Sequence, residues 1–131
     1  MSSNPSSPPT PYKNGSILLN SYTIKDILRQ SPNKKIDLYA KIIAISEAQQ
    51  CDTKYGPQFT KNICLSDGTD IIWASLQQKL LNQHQNDFIL ENQIVLRNMI
   101  IEEQEGVVQL IDDIWTSVQT PESVEINYFT L

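Results

Sequence analysis

Residues 59–86 read FTKNICLSDGTDIIWASLQQKLLNQHQN, and the order of elements in this stretch decides the fold. At its centre Ser66-Asp67-Gly68-Thr69 is the clearest turn in the chain, because Asp and Gly readily supply the unusual dihedrals of a hairpin. The apolar residues on either side predict one strand over 59–65 and another over 71–74. Beyond them, Leu76, Leu80 and Leu81 stand among Gln, Lys and Asn, which predicts a short amphipathic helix over 76–86. A strand, a tight turn, a strand and a helix therefore follow one another without a gap.

Upstream, Ile36, Leu38, Ala40, Ile42 and Ala44 alternate with Asp37, Tyr39 and Lys41, predicting a long strand over 36–46. Its second half turns apolar on both faces at Ile43 and Ile45, as expected of a strand that pairs at both ends in a closed barrel and bulges midway. Residues 47–58 are polar and hold Gly56-Pro57, so a loop or a loose hairpin arm is expected there. Tyr22, Ile24, Ile27 and Leu28 are spaced for one face of a short helix, with Ser21 or Thr23 as candidate N-caps and Ser31-Pro32 as its end. Downstream come a fourth strand over 94–101, a charged turn over 102–106 and a fifth strand over 107–111; residues 115–118 either extend that strand or cap the barrel end.

The resulting order places a helix between the third and fourth of five strands. That is the arrangement of an OB-fold, a mainly β, partly open Greek-key barrel plugged at one end by the helix. A generic α+β sandwich is the competing architecture. The domain occupies residues 17–118, preceded by a Ser/Pro-rich segment over 1–16 that reads as a flexible tail and followed by an extension over 119–131.

Charge is distributed unevenly. The net charge of −5 argues against a protein held to phosphates by bulk electrostatics. Through Lys61 there are eight Lys or Arg against four Asp or Glu, and from Asn62 onward two against eleven, so the halves carry near +4 and −9. This asymmetry either makes a basic strip on an acidic protein or reflects two solvated faces. No apolar stretch is long enough to span a bilayer and the start has no secretory pattern, so an intracellular protein without membrane contact is expected. Cys51, Cys64 and the lone His84 are too few for a disulfide framework or a zinc site, and neither metal nor cofactor is expected. His84 reads as a surface residue of the Gln-rich helix. Asp67 and Asp70 belong to the turn, Asp112-Asp113 lacks further ligands at suitable spacing, and no nucleophile has a partner set; an enzyme is not expected.

The lead-in over residues 24–28, then Leu38-Tyr39-Ala40-Lys41-Ile42, then the strand ending in Ser66-Asp67-Gly68-Thr69, and finally residues 92–109 resemble the OB domains of the replication protein A family and their telomere-protein relatives. The pattern covers roughly residues 20–118. The resemblance implies a small OB subunit that binds single-stranded nucleic acid, DNA above RNA, beside other OB-fold subunits in replication, repair or telomere maintenance. It also implies two aromatic platforms that stack bases. Aligned to the family, the first falls on Leu76 and the second in the stretch 102–107, which has no aromatic and three carboxylates. Candidate contacts that remain are Tyr39, Lys41, Lys54, Tyr55, Lys61, Trp73 and Arg97: lysines to track a backbone and rings to accept bases. Trp73 is read against a core position, Arg97 against neutralisation of Glu102 or Glu103, and Phe59 is left out because its family counterpart is core. Without direct contact, the alternative is a structural subunit whose extension, through Val124, Ile126, Tyr128 and Phe129, packs on a partner or folds back on its own domain.

Overall fold

A computed structural model describes residues 17–54 and 56–128. In chain order the elements are β1 (Ile17–Ser21), α1 (Ile24–Ile27), β2 (Lys35–Ile45), β3 (Gln49–Thr53), β4 (Gly56–Ser66), β5 (Ile71–Gln77), α2 (Gln78–Gln83), β6 (Gln93–Gln104), β7 (Val107–Ile111), β8 (Ser117–Gln119), a 3-10 turn (Pro121–Ser123) and β9 (Val124–Tyr128). Among the described residues nine strands stand where five were expected. Seven of them form one mainly antiparallel sheet ordered β2-β4-β5-β7-β6-β8, with β3 on β4. β6 also pairs with β2, so the path of pairings returns to its start.

Alternation decides which side chains go inside. Ile36, Leu38, Ala40 and Ile42 of β2 are buried, and they meet Ile63 and Leu65 of β4, Ile72, Ala74 and Leu76 of β5, Ile94, Leu96 and Ile101 of β6 and Leu110 of β7 in one core. Each fully buried Leu or Ile stabilises the fold by about 1.5–3 kcal/mol. β2 serves two neighbours: Lys35 to Lys41 pair with β6 and Lys41 to Ile45 with β4. The register on β4 slips between Ile42 and Ala44, leaving Ile43 as the extra residue of a bulge and 41% exposed. That bulge is why both faces of this strand read as apolar.

One stretch takes the second of its two expected forms, and three others differ from expectation. The segment 47–58 is a hairpin arm in which β3 pairs with the start of β4, from Gln49 opposite Thr60 to Thr53 opposite Gly56. β5 runs on to Gln77, so Leu76 is a fully buried strand residue and α2 begins only at Gln78; His84 follows the helix as its C-cap, half-buried, with Nδ1 3.3 Å from Asp87 Oδ2. The turn expected over 102–106 shrinks to Glu105 and Gly106, with φ of 53° and 81°, because Glu102, Glu103 and Gln104 stay paired with Gln109, Val108 and Val107. Residues 117–119 form β8 on the edge of β6 that β7 also uses.

The Ser66–Thr69 turn reaches back to the short N-terminal helix. Asp67 Oδ2 accepts from Ile24 N–H at 2.8 Å and Thr69 Oγ1 from Lys25 N–H at 3.2 Å, while Thr23 Oγ1 accepts from Asp26 N–H at 3.2 Å. Three otherwise free helix donors are thereby satisfied, with Thr23 as the N-cap. Ser21 is buried instead, its hydroxyl accepting from Tyr39 N–H at 3.3 Å. At the other end of the chain β9 pairs in parallel with β1, Val124 opposite Ile17, Ile126 opposite Leu19 and Tyr128 opposite Ser21. β1 and β9 form a two-stranded sheet of their own, separate from the seven-stranded one. Phe129 lies outside the described residues.

Candidate functional site

The register of β4 on β5 sorts their side chains into two faces. Leu65 opposes Ile72 and Ile63 opposes Ala74 inside, whereas Asn62 opposes Ser75, Cys64 opposes Trp73 and Ser66 opposes Ile71 outside. Trp73 is therefore not a core residue: 43% of it is exposed, beside Ile71 at 49%. Cys64 lies opposite the indole and is buried, and desolvation raises its thiol pKa above the ordinary value. β7 lies parallel to β5 with Ser75 opposite Ile111. Continuing that register brings Gln109 level with Trp73 and exposed Val107 level with Ile71.

This outer face runs between the β3–β4 arm and the β6–β7 hairpin. The arm brings Lys54, exposed at its turn. Phe59, 44% exposed, is not the core position it was read as, yet the alternation of β4 puts it on the side of Lys61 and Ile63 and not on that of Trp73. At the hairpin, Glu102 Oε1 accepts from Gln109 Nε2 at 2.6 Å, and Glu103 and Glu105 are exposed. The face is thus apolar and amide-rich, with carboxylates at one end. Leu76, where the family pattern places its first platform, points inward, and the exposed ring of that strand is Trp73 three residues earlier.

The other candidates separate. Lys61 opposes buried Leu76, on the inner side, and lines a cavity with Ile45, Ile63 and Phe88 against α2, away from Trp73. Tyr39 and Lys41 lie on the outer side of β2: Lys41 opposes Ser66, Tyr39 Oη is 2.5 Å from Gln93 Oε1, and Lys41 Nζ is 3.1 Å from Glu91 Oε2. Arg97 neutralises neither Glu102 nor Glu103. Its Nε lies 3.8 Å from Asp37 Oδ2, an acid that also accepts from Asn98 N–H at 2.9 Å. Tyr55 lies outside the described residues.

Asp112 and Asp113 diverge. Asp112 is buried at the start of α2, accepting from Gln77 N–H at 3.3 Å, and desolvation raises its pKa against the pull of that bond. Asp113 pairs with Lys35 at 3.4 Å. Among the described residues no three acids, histidines or cysteines gather as a metal site.

Sequence reasoning missed Ile71 and Val107. Ile71-Ile72-Trp73-Ala74 is apolar on both faces, so only the register on β4 reveals which residues point outward.

No protein-family model matches the sequence, and no curated protein matches it. Solved structures do. A replication protein A heterotrimer bound to ssDNA aligns with a TM-score of 0.67 and 13% identity, over 88% of this chain and 26% of that one. The OB domain of Ta0387 from Thermoplasma acidophilum gives 0.59 and 14%, over 77% and 87%. A murine DNA binding protein bound with ds DNA gives 0.60 and 13%, over 76% and 47%. At such identities the likeness carries the fold and not a narrower family. Together with the order of pairings, it gives this chain the fold of OB domains.

Proposed function

We propose that this chain binds single-stranded nucleic acid, DNA in the first place, through the outer face of β4 and β5. Its setting would be that of a small, non-catalytic OB subunit in a nuclear replication, repair or telomere-type complex, beside other OB-fold subunits. We read β2, β4, β5, β6 and β7 as the staves of its five-stranded barrel, with α2 at one end. The observation that carries the proposal is Trp73, an indole held outward on the third stave where an OB-fold takes an oligonucleotide. A ring so placed accepts a base face without reading its identity, for about 1–3 kcal/mol per base. A replication protein A heterotrimer bound to ssDNA and a murine protein bound with ds DNA share the fold, which lends general support to a nucleic-acid ligand.

The test is fluorescence anisotropy of the full chain with labelled single-stranded and duplex oligonucleotides at about 50 and 200 mM salt. A single-strand preference whose affinity falls with salt is expected. Absence of binding at the lower salt would sink the reading and move the function to protein assembly. The carboxylates of the β6–β7 hairpin favour that second reading, since they repel phosphates at one end of the face.

A further inference from the structure

A groove of about 220 Å³ opens on the outer side of β2 where that strand passes from one neighbour to another. Lys41 is the residue of the handover, opposite Ser66 of β4 on one edge and Gln93 of β6 on the other. Tyr39, Lys41 and Gln93 form one wall, Ala40 the floor, and the turn at Ser66 and Gly68 the opposite wall. A ring, an amide and an ammonium therefore line one open groove.

The groove adjoins the Trp73 face. Ser66 stands between Lys41 and Ile71, and Ile71 precedes Trp73 by two residues on the same side of the sheet. Two strand spacings of ~4.8 Å and two residues of ~3.3 Å separate Lys41 from Trp73 by about 12 Å. That matches three to four nucleotides at ~3.4 Å each along a stacked strand.

A cation distinguishes this direction from the other. At the β6–β7 end a strand leaving Trp73 meets Glu102, opposite Gln109, and exposed Glu105 at the turn, and among the described residues neither has an ion-pair partner. Toward β2 it meets Lys41. The Glu91 carboxylate now beside Lys41 is 73% exposed, and a pair so exposed is held weakly, so a phosphate can take its place. Asp67 lines the groove as its one carboxylate, its oxygens accepting from the N–H groups of Ile24 and Thr69, and exposed Asp70 ends the same turn.

We infer that the groove of Tyr39, Lys41 and Gln93 is a second nucleotide subsite, and that the strand runs from Trp73 over the Ser66–Gly68 turn onto β2, away from the acidic hairpin. This rests on the nucleic-acid reading above. In this path Lys41 contacts phosphate, Tyr39 and Gln93 face a sugar or base edge, and Glu91 acts as a competitor that the backbone displaces.

The experiment is an anisotropy titration of the full chain with labelled oligothymidylate of roughly 10 nucleotides across a salt series, for wild type and three variants. Lys41→Ala is expected to weaken binding about fivefold and to flatten the slope of log affinity against log salt by about 0.7, the loss of one phosphate contact. Glu91→Gln is expected to tighten binding by about threefold, the size of an exposed ion pair. Trp73→Ala is expected to lose most of the affinity. If Trp73→Ala loses binding while Lys41→Ala keeps wild-type affinity and slope, the groove is off the path and the face reading survives. Should Lys41→Ala matter and Trp73→Ala not, the shared path is overturned. Failure of the wild type to bind removes both readings together.

Discussion

The protein exposes two tryptophans, held outward by different means. Trp73 sits mid-strand in β5, 43% exposed, with Ile71 and Ser75 on its own face and Cys64 opposite. Trp115 is 65% exposed in the connection between β7 and β8, beside Ile114 at 85%. Hydrogen bonds fix that connection: Asp113 Oδ1 accepts from Trp115 N–H at 2.8 Å, Trp115 O accepts from Asn98 Nδ2 at 3.1 Å, and Thr116 Oγ1 accepts from Asp113 N–H at 2.9 Å. Exposure alone would rank Trp115 first. The proposed function reverses the order, because Trp73 and not Trp115 lies on the β4–β5 face.

The largest effect expected from testing this contrast concerns stability and the inward neighbour of Trp73. Leu76→Ala removes a fully buried side chain from the same strand and should cost about 2–5 kcal/mol in urea unfolding, whereas Trp73→Ala should cost far less. A comparable loss from Trp73→Ala would mean that the indole is a packing residue after all. Next in size is binding: Trp73→Ala should reduce oligonucleotide affinity by about 1–3 kcal/mol in the anisotropy titration, and Trp115→Ala should leave it unchanged. The reverse pattern would move the site to the β7–β8 connection. A smaller effect is expected at Thr116, whose hydroxyl also donates to Asn98 O at 2.9 Å; Thr116→Ala should destabilise by about 1 kcal/mol and loosen Trp115, read as a fall in its steady-state anisotropy, without touching oligonucleotide affinity.

How much of this was legible in the sequence follows from which residues carry a period. Leu38, Ala40 and Ile42 alternate cleanly, and Ser66-Asp67-Gly68-Thr69 names its own turn, so the middle of the sheet was readable. Leu76 belongs to two patterns at once, period two with Ile72 and Ala74 and near 3.6 with Leu80, and the sheet claimed it. The arm strand β3 had no period to read, since Gln49, Gln50 and Asp52 are exposed and the arm covers no core. The parallel partner of Val124, Ile126 and Tyr128 lies more than a hundred residues upstream, beyond the reach of local pattern. At the site, alternation puts Tyr39 and Lys41 outward on their strand, whereas Trp73 in an apolar strand reads more readily as core and Lys61 reads as a contact from residue type alone. One cross-strand pair, Lys61 opposite Leu76, puts it on the other side.

The smallest effect concerns Asp112, which separates the Trp115 connection from the helix below it. Its carboxylate is buried and accepts from Gln77 N–H, and desolvation raises its pKa above the ordinary 3.8, with the charge of Asp113 adding to the rise and the backbone bonds opposing it. A carboxyl whose folded pKa is raised binds its proton more tightly in the folded chain than in the unfolded one, so stability falls as pH climbs from about the ordinary value through the folded one. Above that window the ionised, desolvated group is a constant cost. Asp112→Asn keeps an acceptor for Gln77 N–H and removes the charge, so it should raise the melting temperature at pH 7 and lose that advantage as pH falls to the ordinary carboxylate range. Melting curves of the two proteins across pH 3 to 8 test this. A variant less stable than wild type at pH 7 would show that the ionised form, held by Gln77, is the one the fold selects, and would tie the Trp115 connection to α2 by charge where the present geometry ties it by burial.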